Sequence, residues 1–468
     1  MMSNIIIKIM KTINKSENHS EKKQHKTWYK LDLSANVYPT LQRRNFSNVF
    51  RLSVVLKEEI DPDTLQRAVD LTLPRFPAFK VALHKGIFWR YLEPNDHPGP
   101  FVMPDIINPC MPMLFKSNNR YLIRIYYYRC RISLEVFHSL SDGSGALKLL
   151  KTITAVYLRL KGHEISNTCG VLDINEPPRP EEMEDAYIKY ASSRVKRPRS
   201  QGKAYRIRGH REPFYTLNII HGLLSVQEVL QKARSYHVTL TEYLNAVLLY
   251  ALLEKQKADH VFREHPVALA LPVNLRNIFP SDTLRNFIAM VYPSVDPRMG
   301  DYTFEEIVTH VHNYMRFYIN DKFLNADITT NASTQQSPLI RIVPLFVKDI
   351  VVKQFYIRVQ DKQSTAGLTN LGVIDVPEEM RQAIADQEQE SFLYTWANEG
   401  RLYIARGYGK QDTAGYQIQV DAFYESSNVL VFATTLLGPE PDTDTDHGTT
   451  CPYLVIQTEY NPKHVITK

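Results

Sequence analysis

A mixed α/β fold in two parts is the class this sequence predicts, and three observations carry it. The 468 residues exceed one ordinary core, so two parts of roughly 200 residues each are expected. Runs rich in β-branched and aromatic residues are interleaved with capped runs of helical period. A polar shift in composition over 163–212 separates the two halves.

Hydrophobic content of 44% and charged content of 23% fit a soluble globular chain. No window approaches the ~18 apolar residues needed to span a bilayer. The opening MMSNIIIKIMKTINK is broken by lysines and lacks a small-residue cleavage site, so residues 1–27 are expected to be a disordered tail. Cys110, Cys130, Cys169 and Cys451 are scattered, which argues against a disulfide framework or structural zinc and fits a cytoplasmic protein. The histidines show no HExxH, and no metal site is indicated. The net charge of +6 is modest, and its densest basic run, 193–211, reads as a solvated connector rather than a nucleic-acid site.

Taken in order, 47–56 reads as a strand and 61–74 as a helix capped by Asp61, with Pro62 in its first turn. Strands over 79–84 and 87–92 are expected to meet at a tight Lys85-Gly86 turn. Residues 121–130 and 131–138 read as an antiparallel pair. Farther on, 213–220 and 265–276 read as strands. Ser225-x-x-Glu228, Thr239-x-x-Glu242 and Thr303-x-x-Glu306 are capping boxes that open helices. The second of these helices is apolar on most sides and is expected to be buried. His310 and His312 face different ways on the third.

The chemistry concentrates at VFHSLSDGSG, residues 136–145. Ile132, Leu134, Val136 and His138 alternate onto one strand face, with Ser133, Glu135 and Phe137 on the other. His138 thus ends an apolar row, half sheltered. After it the period changes, with Leu147, Leu150, Ile153 and Tyr157 at helical spacing until Gly162. An imidazole so placed stays neutral and suits general-base work. Asp142 is expected to hold the turn, and Gly143 to supply a backbone angle that side chains forbid and room for substrate. An HxxxDG string alone recurs by chance, and a strand-end histidine is often structural. The order strand, histidine, glycine turn and helix is what raises it above that.

Four segments in order extend the pattern: WYKLDLSANVYP (28–39), FHSLSDGSGA (137–146), LPVNLRNIFPSDTLRNF (271–287) and LTNLGVIDVP (368–377). Together they resemble the HxxxD-motif acyl-CoA-dependent acyltransferase superfamily, with its chloramphenicol acetyltransferase-like or condensation-domain-like fold, and most nearly its alcohol acetyltransferase branch. Phe137 stands where condensation domains carry a further histidine, and the plant branch's DFGWG is absent.

The resemblance implies two chloramphenicol acetyltransferase-like subdomains, each a mixed sheet with flanking helices, and an active-site channel between them. Their expected extents are 28–212 and 213–468, the latter with an atypical segment from about 437. It implies an acyltransferase moving an acyl group, acetyl foremost, from coenzyme A as co-substrate to a small alcohol, with no permanently bound cofactor and a monomeric state. His138 matches the family's base and Asp142 its structural aspartate. Arg276 is the candidate partner of Asp142, while Asn286, Thr369 and Asn370 resemble channel residues. An amine or carrier-protein substrate, and an inactive binding protein of the same fold, stay open.

Overall fold

The computed structural model describes residues 28–468, apart from 33, 43–45, 196–201, 208–216, 218, 220–221, 223, 260–263, 359–361, 386–391, 399, 410, 412, 414, 427–428, 440–449, 462 and 468. Two compact units divide it. One comprises Met1–Val54, Glu59–Leu217 and Val229–Met380; the other comprises Val55–Glu58, Asn218–Glu228 and Arg381–Lys468.

The larger unit is mixed α/β. Its strands are β1 (Tyr29–Lys30), β2 (Val49–Val55), β3 (Val81–Lys85), β4 (Arg90–Pro94), β5 (Val102–Pro104), β6 (Ile123–Tyr128), β7 (Arg131–Phe137), β8 (Val267–Asn274), β9 (Ile288–Val291), β10 (Ser294–Val295) and β11 (Ala366–Gly367). Its principal helices are α1 (Tyr38–Leu41), α2 (Pro62–Thr72), α3 (Gly143–Leu160), α4 (Val226–Ser235), α5 (Leu240–Ala258), α6 (Phe304–Tyr318), α7 (Asp321–Gln336) and α8 (Leu345–Arg358). The boundary between units falls within α4, after its first three residues, 226–228.

A four-stranded sheet runs β2-β7-β6-β5, in which β6 and β7 pair antiparallel, Ile125 opposite Leu134. A second sheet runs β10-β8-β11, with β9 also on β8, and a third runs β1-β4-β3. The apolar row of β7 is fully buried. Another core gathers Leu249 and Leu253 of α5, Val267 and Leu269 of β8, and Ile307 and Val311 of α6. Each such side chain contributes about 1.5–3 kcal/mol when fully buried.

Local chemistry explains the element ends. The Asp61 side chain accepts from Thr64 N at the start of α2, with Pro62 in its first turn. Both reciprocal bonds of the capping box are present at Thr239 and at Thr303. At Ser225, the hydroxyl accepts from Glu228 N at 3.4 Å.

Three expectations need correction. Helix α5 buries one face only, and Val247 and Tyr250 are exposed; its apolar content exceeds what its packed face uses. The β3–β4 hairpin turns over residues 86–89, closed by Gly86 N donating to Trp89 O, so Ile87, Phe88 and Trp89 project instead of pairing. Gly143 is the first residue of α3 and is absent from the glycines with left-handed backbone, so its role is not conformational freedom. The strand expected at 213–220 and the basic run 193–211 lie largely outside the described residues.

The smaller unit carries β12 (Phe392–Asn398), β13 (Arg401–Gly407), β14 (Gln417–Ser426), β15 (Val429–Leu437), β16 (Tyr453–Glu459) and β17 (His464–Thr467). They form sheets β12-β13-β16 and β14-β15-β17 around Leu402, Ile404, Leu430, Phe432 and Val465. The atypical segment beyond 437 supplies β16 and β17.

Candidate active site

The corner between β7 and α3 is built from bonds that use nearly every polar group in HSLSD. Ser139 Oγ donates to Ala35 O (2.9 Å) and Ser141 Oγ to Leu284 O (2.5 Å). Asp142 is the N-cap of α3: Oδ1 accepts from Ser144 N and Gly145 N, both at 3.1 Å. Its Oδ2 accepts from Arg276 Nη1 (2.7 Å) and Phe287 N (2.8 Å). One buried carboxylate therefore caps a helix and holds the segment after β8.

Arg276 spends the rest of its guanidinium on main-chain oxygens. Nε and Nη2 donate to Thr283 O (3.1 and 2.9 Å), and Nη2 also donates to Arg285 O (2.6 Å). Its Nη1 reaches Asn274 Oδ1 as well, at 3.3 Å. These bonds bend 274–287 so that Asn286 arrives beside the histidine.

His138 is partly accessible, with its backbone N–H donating to Asn48 O at 2.9 Å. Asn48 takes a left-handed φ of 54°, which asparagine tolerates better than most residues. Its side chain also donates to Tyr38 O at 3.0 Å, so one residue sets both neighbours of the ring. Tyr38 stacks on His138 with centroids 4.5 Å apart and planes at 15°, and Phe50 lies against it at 4.9 Å.

Asn286 decides which imidazole nitrogen carries the hydrogen. Its Nδ2 lies 2.9 Å from His138 O and 3.3 Å from Asp32 Oδ2, both acceptors, which fixes the amide's orientation. The amide oxygen therefore faces His138 Nδ1, at 3.1 Å, and accepts from it. The lone pair is left on Nε2, which makes no hydrogen bond among the described residues. Burial also holds the ring's pKa below its ordinary 6.5, so the neutral form prevails at pH 7.

Asp32 backs this arrangement. It is fully buried, accepts from Ala35 N (2.8 Å), and has Arg285 Nε 3.7 Å away. Burial pushes its carboxyl up to about 6, against the opposing pull of Arg285.

Two glycines behave differently. A Cβ at Gly145 would lie inside contact distance of Leu284 O and Ser141 Oγ, so close approach of the 271–287 segment requires glycine there. A Cβ at Gly143 would meet only Leu371 Cδ2, at 3.2 Å. Thus Gly143 faces the LTNLG segment, while Gly145 is the steric hinge.

Of the residues singled out from sequence, His138, Asp142, Arg276 and Asn286 form one bonded cluster. Asn370 bonds elsewhere: Nδ2 donates to Thr241 Oγ1 (2.9 Å) and Oδ1 accepts from Gly372 N (2.8 Å). It and Thr369 are exposed. Sequence reasoning missed Asp32, Tyr38, Asn48 and Phe50. Asp32 and Tyr38 lie within WYKLDLSANVYP, so that segment's presence among the four was their signal.

Comparison with known proteins adds likeness of chain path. The chain is similar to the structure of polyketide synthase associated protein 5 from Mycobacterium tuberculosis, at 16% identity over 80% of this chain and 92% of that one, with a TM-score of 0.47. It is similar to TRI101 of F. graminearum, solved with coenzyme A and deoxynivalenol, at 9% identity over 77% and 88%, with a TM-score of 0.48. It is similar to the condensation domain of the monacolin K polyketide synthase MokA, at 11% identity over 67% and 77%, with a TM-score of 0.43. A family model for the PrcB C-terminal region matches residues 402–459, in the smaller unit. No curated protein matches the sequence.

Proposed function

We propose that this chain is an acyltransferase that moves an acyl group, acetyl foremost, from coenzyme A to the hydroxyl of a small alcohol. One observation carries the reading: Asn286 holds His138 as the Nδ1–H tautomer, leaving the Nε2 lone pair unbonded on a residue that is only partly buried. The acceptor hydroxyl gives its proton to Nε2 as its oxygen attacks the thioester carbonyl. Collapse of the tetrahedral adduct breaks the C–S bond, and the imidazolium returns the proton to the leaving thiolate. General-base assistance of this kind is worth about 10²–10⁴ in rate.

The other residues act through His138. Asn286 and Asp32 position the ring, while Tyr38 and Phe50 hold its plane and limit water around it. Asp142 and Arg276 are structural in this reading: both are saturated by bonds that shape the corner. Gly143 leaves the approach uncrowded, and Thr369 and Asn370 belong to the channel's outer part. The two-subdomain architecture and the channel come from the sequence resemblance. A monomeric, cytoplasmic enzyme is part of the same reading.

The test is incubation of purified protein with acetyl-CoA and a panel of alcohols and amines, following free thiol. Acceptor-dependent thiol release with alcohols supports the reading. Release with amines alone changes the acceptor class, and no release with any acceptor or acyl-CoA overturns it.

A further inference from the structure

Helix α8 presents an unusual surface. Its inner side packs against α1 and β4, where Asp349 pairs with Arg90 (2.6 Å) and accepts from Thr40 (2.9 Å). The outward side carries Phe346 and Ile350, then Val347, Val351 and Phe355, at a spacing of four, and Ile342 stands in the turn just before the helix. Ile342, Phe346 and Ile350 are 70%, 68% and 59% exposed. Soluble monomers rarely leave such a contiguous patch uncovered.

The β3–β4 hairpin tip extends the patch. Leu345 N donates to Ile87 O and Lys348 Nζ to Phe88 O, both at 2.8 Å, so the tip abuts the start of α8. Ile87 and Trp89 are 76% and 51% exposed there. The projecting tip, with tryptophan and phenylalanine side by side, resembles an interfacial anchor.

The charges choose the occupant. Lys85, Arg341 and Lys353 border the apolar rows in exposed positions. Asp349 is the sole acid within 85–89 and 341–355, and Arg90 already neutralises it. A second copy of this chain would bring the basic border against its own image. An anionic lipid surface instead meets both features, burying the apolar rows in the acyl boundary and attracting the lysines. We propose that the α8 face and the Ile87–Trp89 tip dock this protein on anionic membranes from the outside. No helix among the described residues is long and apolar enough to cross one. This inference does not depend on the transfer reaction.

Flotation of the full-length protein with phosphatidylcholine vesicles, with and without phosphatidylglycerol, tests it. Binding should require phosphatidylglycerol and weaken as salt rises. The double change Phe346→Ser with Ile350→Ser should weaken partition at least ~10-fold, because the removed side chains supply the buried apolar area. Lys353→Glu should weaken it several-fold at low salt. Val373→Ser, at an 87% exposed apolar site elsewhere, should have no effect. These positions are exposed, so the variants should melt as wild type; if the double variant does not, Lys353→Glu decides. Three results would overturn the proposal: no binding to anionic vesicles at low salt, equal binding by the variants, or a sedimenting dimer that the double variant abolishes. The last would assign the face to a second copy.

Discussion

Strand β7 has two buried faces with opposite polar habits. On one, Glu135 is saturated: Oε1 accepts from Arg51 Nε and Nη2 (3.0 and 2.8 Å) and from Cys110 N (2.6 Å). Its Oε2 accepts from Arg124 Nε (3.0 Å), and Arg124 Nη2 lies 2.6 Å away. On the other face His138 is bonded at Nδ1 and left open at Nε2. A buried polar group with every site used is architecture, since its bonds offset the cost of dehydration. One with a lone pair left unbonded, as at His138, has the capacity to take a proton, which is the role proposed for it. Asp142 and Arg276, although two residues of the motif region, fall with Glu135 on the architectural side.

The largest effects should come from breaking the saturated pairs. Glu135→Ala, Asp142→Ala and Arg276→Ala should each cost about 3–5 kcal/mol in urea unfolding, because a buried charge is left without its partner. Asp142→Ala and Arg276→Ala should be clearly non-additive in a double-mutant cycle. Glu135→Ala should leave activity per folded molecule unchanged, whereas the other two should lower it through displacement of Asn286. Additive losses for Asp142 and Arg276 would move Asp142 to the side of the chemistry.

His138→Ala sharpens the contrast from the other direction. Acyl transfer should fall by ~10²-fold or more while the melting temperature stays near wild type, because the ring makes few bonds. A folded Ala variant with near wild-type turnover would break the distinction.

The glycines give a smaller, steric version. Gly145→Ala should cost about 1–3 kcal/mol, as its Cβ meets a main-chain oxygen. Gly143→Ala should change stability by less than ~1 kcal/mol, since the flexible Leu371 end can yield.

The pH response should be smaller still and has a defined sign. Because burial lowers the His138 pKa below 6.5, kcat/KM should stay level through 6.5 and decline only in more acidic solution. In that window the unfolded chain binds the proton more readily, so the His138 contribution to stability is present above 6.5 and lost as pH falls. Asp32 acts oppositely: its carboxyl binds a proton nearer pH 6 when folded, so its contribution is present below 3.8 and lost as pH rises through about 6. Asp32→Asn should therefore remove the second trend while preserving the first. An inflection of kcat/KM at or above 6.5 would contradict the burial account.

What was legible in the sequence was local. Strand alternation placed His138 at the end of an apolar row, and Asp142, Ser144 and the following period marked the helix start. Arg276 and Asn286 came through the ordered segments of the family resemblance, which carry long-range information that periodicity lacks. Tyr38, Asn48 and Phe50 were hidden because their contact with His138 spans roughly a hundred residues of chain, Asp32 because it reaches the ring only through Asn286, and a left-handed φ at Asn48 leaves no pattern. Gly143 drew attention as the glycine after aspartate, yet the tight approach falls at Gly145, through Leu284, which no local rule discloses. Helix α5 was read as buried because composition does not reveal which apolar face remains uncovered. In β16, apolar residues occupy both faces of Tyr453–Ile456, so the alternation that identifies strands was masked.

The tautomer of His138 tests the central claim most directly. Nitrogen NMR of the full-length protein, with the His138 signals assigned by their loss in His138→Ala, reads both ring nitrogens near neutral pH without needing a substrate. Nδ1 should appear protonated and Nε2 unprotonated, and Asn286→Ala should mix the two tautomers. A protonated Nε2, or an imidazolium at pH 7, would contradict a base held open for the reacting hydroxyl.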